Sequence, residues 1–250
     1  MSEFYVGYLA GAPPGIRRCV RAAVVVLLLV FMAASVLFTV AQNQFARSYF
    51  DFGKPAEFSG TLTLEPFPTL LPDDSFVQEK QQRQPYLLVA PGKFGAHSLL
   101  AGHDRKHVRL RGTLIHRDEG RMIELDPSSI SQTDGPSKSQ NDAQEFEEMS
   151  LTGEIVDTKC FLGVMNPGEG KVHRDCAARC LSGGIPPALI TTSLDGSPRL
   201  VLLLGEDGKP LSKESFLKRV GQPVSLRGTV LKSQGLFYVR TNAARIVPLP

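Results

Sequence analysis

The stretch Val108-Arg-Leu-Arg-Gly-Thr-Leu-Ile115 returns 116 residues later as Val224-Ser-Leu-Arg-Gly-Thr-Val-Leu231. Apolar and polar side chains alternate at the start of both copies, which is the period-two signature of a strand with one buried face. Each copy runs into a short turn and a further strand, Met122-Ile-Glu-Leu125 in one and Phe237-Tyr-Val-Arg240 in the other. Upstream, Ser59-Gly-Thr-Leu62 matches Thr152-Gly-Glu-Ile155 at an offset of 93. The two offsets differ by 23 residues, so one β scaffold is written twice and the second copy carries an insertion of about that size.

Strands are predicted over Glu57–Leu64, Tyr86–Ala90, His107–His116 and Arg121–Leu125 in the first copy. In the second they fall over Leu151–Asp157, Ala188–Thr192, Leu200–Leu204, Pro223–Lys232 and Leu236–Thr241. Turn signals such as Asp118-Glu119-Gly120, Asp195-Gly196 and Gln234-Gly235 separate them. Lys213 to Val220 reads as a short helix, with Ser212 as its N-cap and Gly221 after its end. Short strands, a glycine early in the first one and a Val-x-Leu-x-Gly-x-Val pattern near the end resemble the OB-fold, a small Greek-key barrel. That likeness is to an architecture and implies no activity. Another small barrel or sandwich gives similar strands. The expected fold is mainly β: an N-terminal transmembrane helix, a first OB-like barrel over 55–126 and a second over 150–250. Between them, 127–149 is rich in Ser, Gln, Asp and Glu, and is expected to be a flexible acidic linker. An acidic helix over Asp142–Met149 is the alternative.

The N-terminal part has a different composition. From Ala22 to Ala41 only Ser35 and Thr39 interrupt an apolar run, and both can bond back to their own helix. Twenty helical residues match the ~30 Å hydrocarbon thickness of a bilayer. Arg17, Arg18 and Arg21 precede the run and little positive charge follows it. The positive-inside rule then keeps 1–21 in the cytoplasm and sends the rest across; in a bacterium this is the inner membrane, with the bulk of the chain periplasmic. A cleaved signal peptide competes, but its apolar core is usually about 7–15 residues long. Cys19, at the cytoplasmic edge of the span, reads as a packing residue.

The insertion lies in 157–187, where Cys160 to Pro187 holds three of the four cysteines and one of the five histidines. His173, Cys176 and Cys180 are three and four residues apart, so a helix over about Val172–Leu181 aims all three one way. Cys160 stands before a turn-rich Asn166-Pro-Gly-Glu-Gly170 loop that can fold it back onto them. Soft sulfur and imidazole donors suit zinc or another transition metal, so Cys160, His173, Cys176 and Cys180 are the candidate metal ligands. Asp157 and Asp175 could hold the imidazole from outside, although solvation is the plainer expectation for each. Three readings compete. A disulfide from Cys160 to Cys176 or Cys180 leaves a third thiol beside Arg174, Arg179 and His173, which suits redox exchange by Cys176 or Cys180. Haem or copper held by His173, Met165 and a cysteine is another, without a Cys-x-x-Cys-His motif to support it. Inert packing, with no cofactor, is the last. Gly183-Gly-Ile-Pro-Pro187 follows the helix, which argues against a phosphate-cradling loop.

Gly153-Glu-Ile-Val-Asp157, Cys160, the His-x-x-Cys-x-x-x-Cys helix and the Gly-Gly-Ile-Pro-Pro exit resemble a segment of uncharacterised bacterial membrane-anchored proteins. Phe4-Tyr-Val-Gly-Tyr8 adds to the likeness. It implies a bacterial envelope setting and carries no activity.

The net charge of +3 is unevenly spread: +2 over residues 1–44, zero over 45–126, −4 over 127–150 and +5 over 151–250. No block is basic enough for a nucleic-acid surface, and aromatics do not interleave the cations as single-strand binding requires. Dinucleotide, Walker, Gly-x-Ser-x-Gly and His-Glu-x-x-His patterns are missing from the sequence. His97, His103, His107 and His116 stand among cations in the first copy and read as solvated. The expectation is a membrane-anchored extracytoplasmic binding or accessory protein. It would carry a Cys3His metal site and serve a membrane-protein complex of respiratory or cofactor-handling type. A thiol-redox enzyme and a structural subunit with a disulfide-stapled loop are the alternatives.

Overall fold

In the computed structural model, residues 11–42, 48–73, 84–118, 120–135 and 143–249 are described. Phe4–Tyr8, Glu119 and the middle of the expected linker lie outside them. The N-terminal helix and the β part form two separate units.

Helix α1 spans Pro14–Gln42. Proline at its first turn removes only an N–H that would be orphaned there anyway. Within Pro14–Ala41 an 18-residue stretch has a mean hydropathy of 2.9, and the helix is long and apolar enough to cross a membrane. Ser35 and Thr39 each donate a hydroxyl to the carbonyl four residues earlier, Phe31 and Ser35, both at 2.9 Å. Neither hydroxyl is therefore left unpaired in an apolar medium.

The β part holds two closed five-stranded barrels. The first uses β2 (Ala56–Thr63), β3 (Thr69–Pro72), β4 (Tyr86–Val89), β5 (His107–Arg117) and β6 (Gly120–Leu125), with β1 (Ser48–Phe50) and β7 (Ser131–Gln132) added along β5. Its order is β2-β3-β4-β6-β5 and back to β2, with β4 and β6 parallel and the other pairs antiparallel. The second uses β8 (Gln144–Asp157), β9 (Pro187–Thr191), β10 (Arg199–Leu204), β11 (Pro223–Ser233) and β12 (Leu236–Arg240), edged by β13 (Ile246–Pro248). It closes in the same order, β8-β9-β10-β12-β11, again with the third and fifth strands parallel. This arrangement is consistent with two small OB-like barrels.

The repeated glycines have a steric cause. A Cβ on Gly112 would meet the Glu124 carbonyl, and one on Gly228 would meet the Arg240 carbonyl, at the same crossing in each barrel. The repeated Arg-Gly-Thr thus marks where two backbones touch.

Each barrel has its own interior, and a third core joins them. Phe58, Leu62, Tyr86, Leu88 and Ile123 fill the first barrel; Leu151, Ile155, Val201, Leu203 and Val239 fill the second. The alternate residues of the same strands, Leu87 and Val89 in β4 and Leu202 and Leu204 in β10, turn outward into the shared core. Side chains alternate across a strand, so a strand buried on both faces reads as an unbroken apolar run. That is why Tyr86-Leu-Leu-Val89 and Leu200–Leu204 lack alternation.

Two expectations need correction, and strand β3 went unpredicted. The linker predicted over 127–149 is not all linker, because Gln144–Met149 form the first half of β8 and pair with β11. No helix forms there. Glu145 and Glu148 meet Arg240, Arg227 and Arg245, so the acidic run faces basic partners across the sheet. Strand β3, flanked by Pro66, Pro68 and its own Pro72, was hidden by its prolines. The helix predicted over Lys213–Val220 is only α3, Lys213–Phe216, followed by a tighter turn over Leu217–Arg219.

Candidate metal centre

Among the described residues, the connection between the first two strands differs most in length between the barrels. In the first barrel it is residues 64–68 alone; in the second it runs from Thr158 to Pro186 and contains every cysteine outside α1. Its base is closed by Thr158, whose hydroxyl donates to the Pro186 carbonyl at 3.0 Å. Lys159 is fully buried between the barrels. Its ammonium donates to the Ala90 and Gly92 carbonyls at 3.0 and 2.6 Å and pairs with Glu124. A buried lysine of this kind is tolerable only because carboxylate and carbonyls replace its water. Cys160, Phe161 and Leu162 then enter the shared core in one wide turn. Arg117 of the first barrel lies over the Phe161 ring at 4.0 Å and donates to its carbonyl.

A tight turn over Lys171–His173 leads into α2, Arg174–Ser182. Ala177, Cys180 and Leu181 form the buried face of α2. Gly183 ends it, and a Cβ there would strike the Lys93 carbonyl of the first barrel. Only glycine lets the two backbones approach so closely.

The structure brings the predicted residues together as two overlapping sets. The sulfurs of Cys160, Cys176 and Cys180 lie within 4.8 Å of one another. Asp157, Cys160 and His173 form a second set by the same measure, sharing Cys160 with the first. The expected helix from Val172 starts two residues later, so His173 precedes α2 and turns toward Asp157. The His173 Nε2 is 3.1 Å from the Asp157 carboxylate, whose other oxygen accepts the Cys160 backbone N–H at 2.8 Å. Asp157 is wholly buried, which corrects the expectation that it is solvated; Asp175 is exposed as expected.

All four cysteines are free. Cys160 and Cys180 face each other at 3.9 Å between sulfurs, in hydrogen-bond contact without a covalent link. A cation of the first barrel completes the group. The Lys93 ammonium is 2.9 Å from the Cys176 sulfur and 3.6 Å from that of Cys180. The contact from Cys160 and the charge of Lys93 hold the Cys180 thiol down, to about 7. That same contact with Cys180, together with burial, pushes the Cys160 thiol up. Lys93 in turn is raised, first by its bond to Cys176. Together, Cys160, Cys176, Cys180 and the Asp157–His173 pair could hold a metal ion.

Sequence reasoning missed Lys93 and Lys159. Neither has a signal in the chain, since each acts across the barrel boundary. It also misjudged His107, which is buried in the first barrel between Asp73 at 3.1 Å and Thr133 at 2.5 Å. No family model, curated protein or solved structure matches this chain.

Proposed function

We propose that this is a membrane-anchored binding or accessory protein whose second barrel carries a Cys3His metal centre on its inserted loop. The reading rests on one observation: three cysteine sulfurs from two separate segments lie within 4.8 Å of one another among buried residues. Packing alone gives no reason to gather three thiols around a lysine.

The donors fit a thiophilic metal, with zinc first. Cys160, Cys176 and Cys180 would supply thiolates, and His173 the fourth ligand through Nδ1. Its Nε2–H would donate to Asp157, the arrangement that fixes a ligating imidazole. Such an ion would cross-link the insertion. By the positive-inside rule α1 holds the N-terminus in the cytoplasm and the barrels on the far side, periplasmic in a bacterium. A membrane complex of respiratory or cofactor-handling type is the partner we infer. Metal analysis of the full chain, purified in detergent without chelator, tests the reading together with a count of free thiols. Stoichiometric zinc and protected thiols are expected.

A second reading draws on Lys93 and the 3.9 Å separation of the Cys160 and Cys180 sulfurs. These two thiols could pass two electrons and two protons to a partner's disulfide, forming their own S–S bond as the partner's becomes two thiols. Metal-free protein whose inserted loop cycles reversibly between three free thiols and one, with Cys19 free throughout, would favour it.

A further inference from the structure

We infer that Lys93, on the first barrel, is a positioning residue of the metal centre on the second, so that the centre is complete only with both barrels docked. The inference rests on the metal reading above and adds what the first barrel is for. The Lys93 ammonium reaches two of the three sulfurs, Cys176 at 2.9 Å and Cys180 at 3.6 Å. The loop that carries it is pinned from several sides. Ala90 N–H donates to the Phe94 carbonyl at 3.0 Å and closes the loop, and Gly95 N–H donates to the Gly183 carbonyl at 3.0 Å. Lys159, from the insertion itself, grips the Ala90 and Gly92 carbonyls.

The second barrel supplies an internal comparison. Its equivalent loop closes in the same way, through Gly205 N–H to the Lys209 carbonyl at 2.8 Å. There the chain reads Glu206-Asp207-Gly208, with no cation where the first barrel has Lys93. The loop geometry belongs to the scaffold, and the lysine belongs to the barrel that faces the thiols. The charge balance gives it work to do. Three thiolates and a neutral imidazole around a divalent cation leave one excess negative charge. An ammonium donating to two of the sulfurs offsets it and opposes their protonation and departure from the metal.

The test compares the full-length wild type with Lys93→Met and Lys93→Arg, each loaded with one equivalent of zinc in detergent and mixed with a chromophoric chelator. Lys93→Met keeps the length of the side chain without its charge. Zinc should transfer about tenfold faster from it than from wild type, and Lys93→Arg should recover most of the difference. Equal rates for Lys93→Met and wild type, or failure of Lys93→Arg to recover any of the loss, overturn the inference. If wild type retains no zinc the metal reading fails by itself, and iodoacetamide alkylation of Cys176 in the metal-free chains decides the role of Lys93. Slower alkylation in Lys93→Met, restored in Lys93→Arg, supports the contact; equal rates in all three remove it.

Discussion

The two barrels share strand order, parallel closing pair and crossing glycines, yet only the second carries the Cys/His insertion. In the first, β2 passes to β3 through residues 64–68, and its buried polar cluster is His107 held between Asp73 and Thr133. In the second, the same connection runs from Thr158 to Pro186 and gathers three thiols, an imidazole and a buried carboxylate. The difference teaches where function resides in a duplicated scaffold. The strands are occupied with closing the barrel and filling three cores, so a new site grows in the connection between them. The plain copy meets it directly: its outer face and its Lys93 loop form the other wall of the thiol cluster.

The sharpest way to break the comparison is to remove the ligand that joins both donor sets. Cys160→Ser should lose most bound zinc, retaining about a tenth of the wild-type content or less after gel filtration. Unchanged retention would eliminate the four-ligand model. Next comes the shared core. Leu202→Ala removes a buried side chain that packs between the barrels and should destabilise the β part by about 2–5 kcal/mol, read by denaturant melting. A loss no larger than that of an exposed leucine would deny that the barrels share a core. His107→Ala should cost about 1–3 kcal/mol, by leaving Asp73 and Thr133 without their partner, while zinc content stays at wild-type level. A drop in zinc would mean that the first barrel's polar cluster and the metal centre are not separate. Asp157→Asn, which weakens the hold on His173, should lower zinc affinity about tenfold with all four ligands still present.

A pH titration gives the smallest effect. In metal-free protein the contact from Cys160 and the charge of Lys93 favour the thiolate and hold the Cys180 thiol below its ordinary value of 9.0, down to about 7. A group depressed on folding stabilises the fold above its unfolded value and loses that contribution as pH falls through its folded one. The thiolate absorbance should therefore show a step near 7 that Cys180→Ser removes, with stability declining as pH drops through the same range. A first step near 9 would contradict the Cys160–Cys180 contact and the support that Lys93 gives it.

Much of this was legible in the chain. The repeat set the two barrels and the insertion point, since period-two patterns survive wherever a strand has one wet face. The Cys/His stretch named the residues that the fold brings together. What stayed hidden depended on tertiary contact. Strand β3 is short, wholly buried and flanked by prolines, so neither alternation nor composition betrays it. Residues 144–149 look disordered by composition, but arginines on β11 and β12 and near the C-terminus balance their acids once the barrel closes. Lys93 and Lys159 sit 83 and 69 residues from the groups they hold, beyond the reach of any local pattern. Asp157 was visible as a partner for the His173 imidazole, but its complete burial, which tertiary packing imposes, was not.

The proposed centre requires the sulfurs of Cys160, Cys176 and Cys180 to be a metal's ligands. Metal quantification by mass spectrometry on freshly purified full-length chain, prepared without chelator, addresses that most directly. About one zinc ion per chain, falling sharply in Cys160→Ser, is the predicted result. Metal-free protein with all three thiols open to alkylation, and no uptake when zinc is supplied, would contradict it.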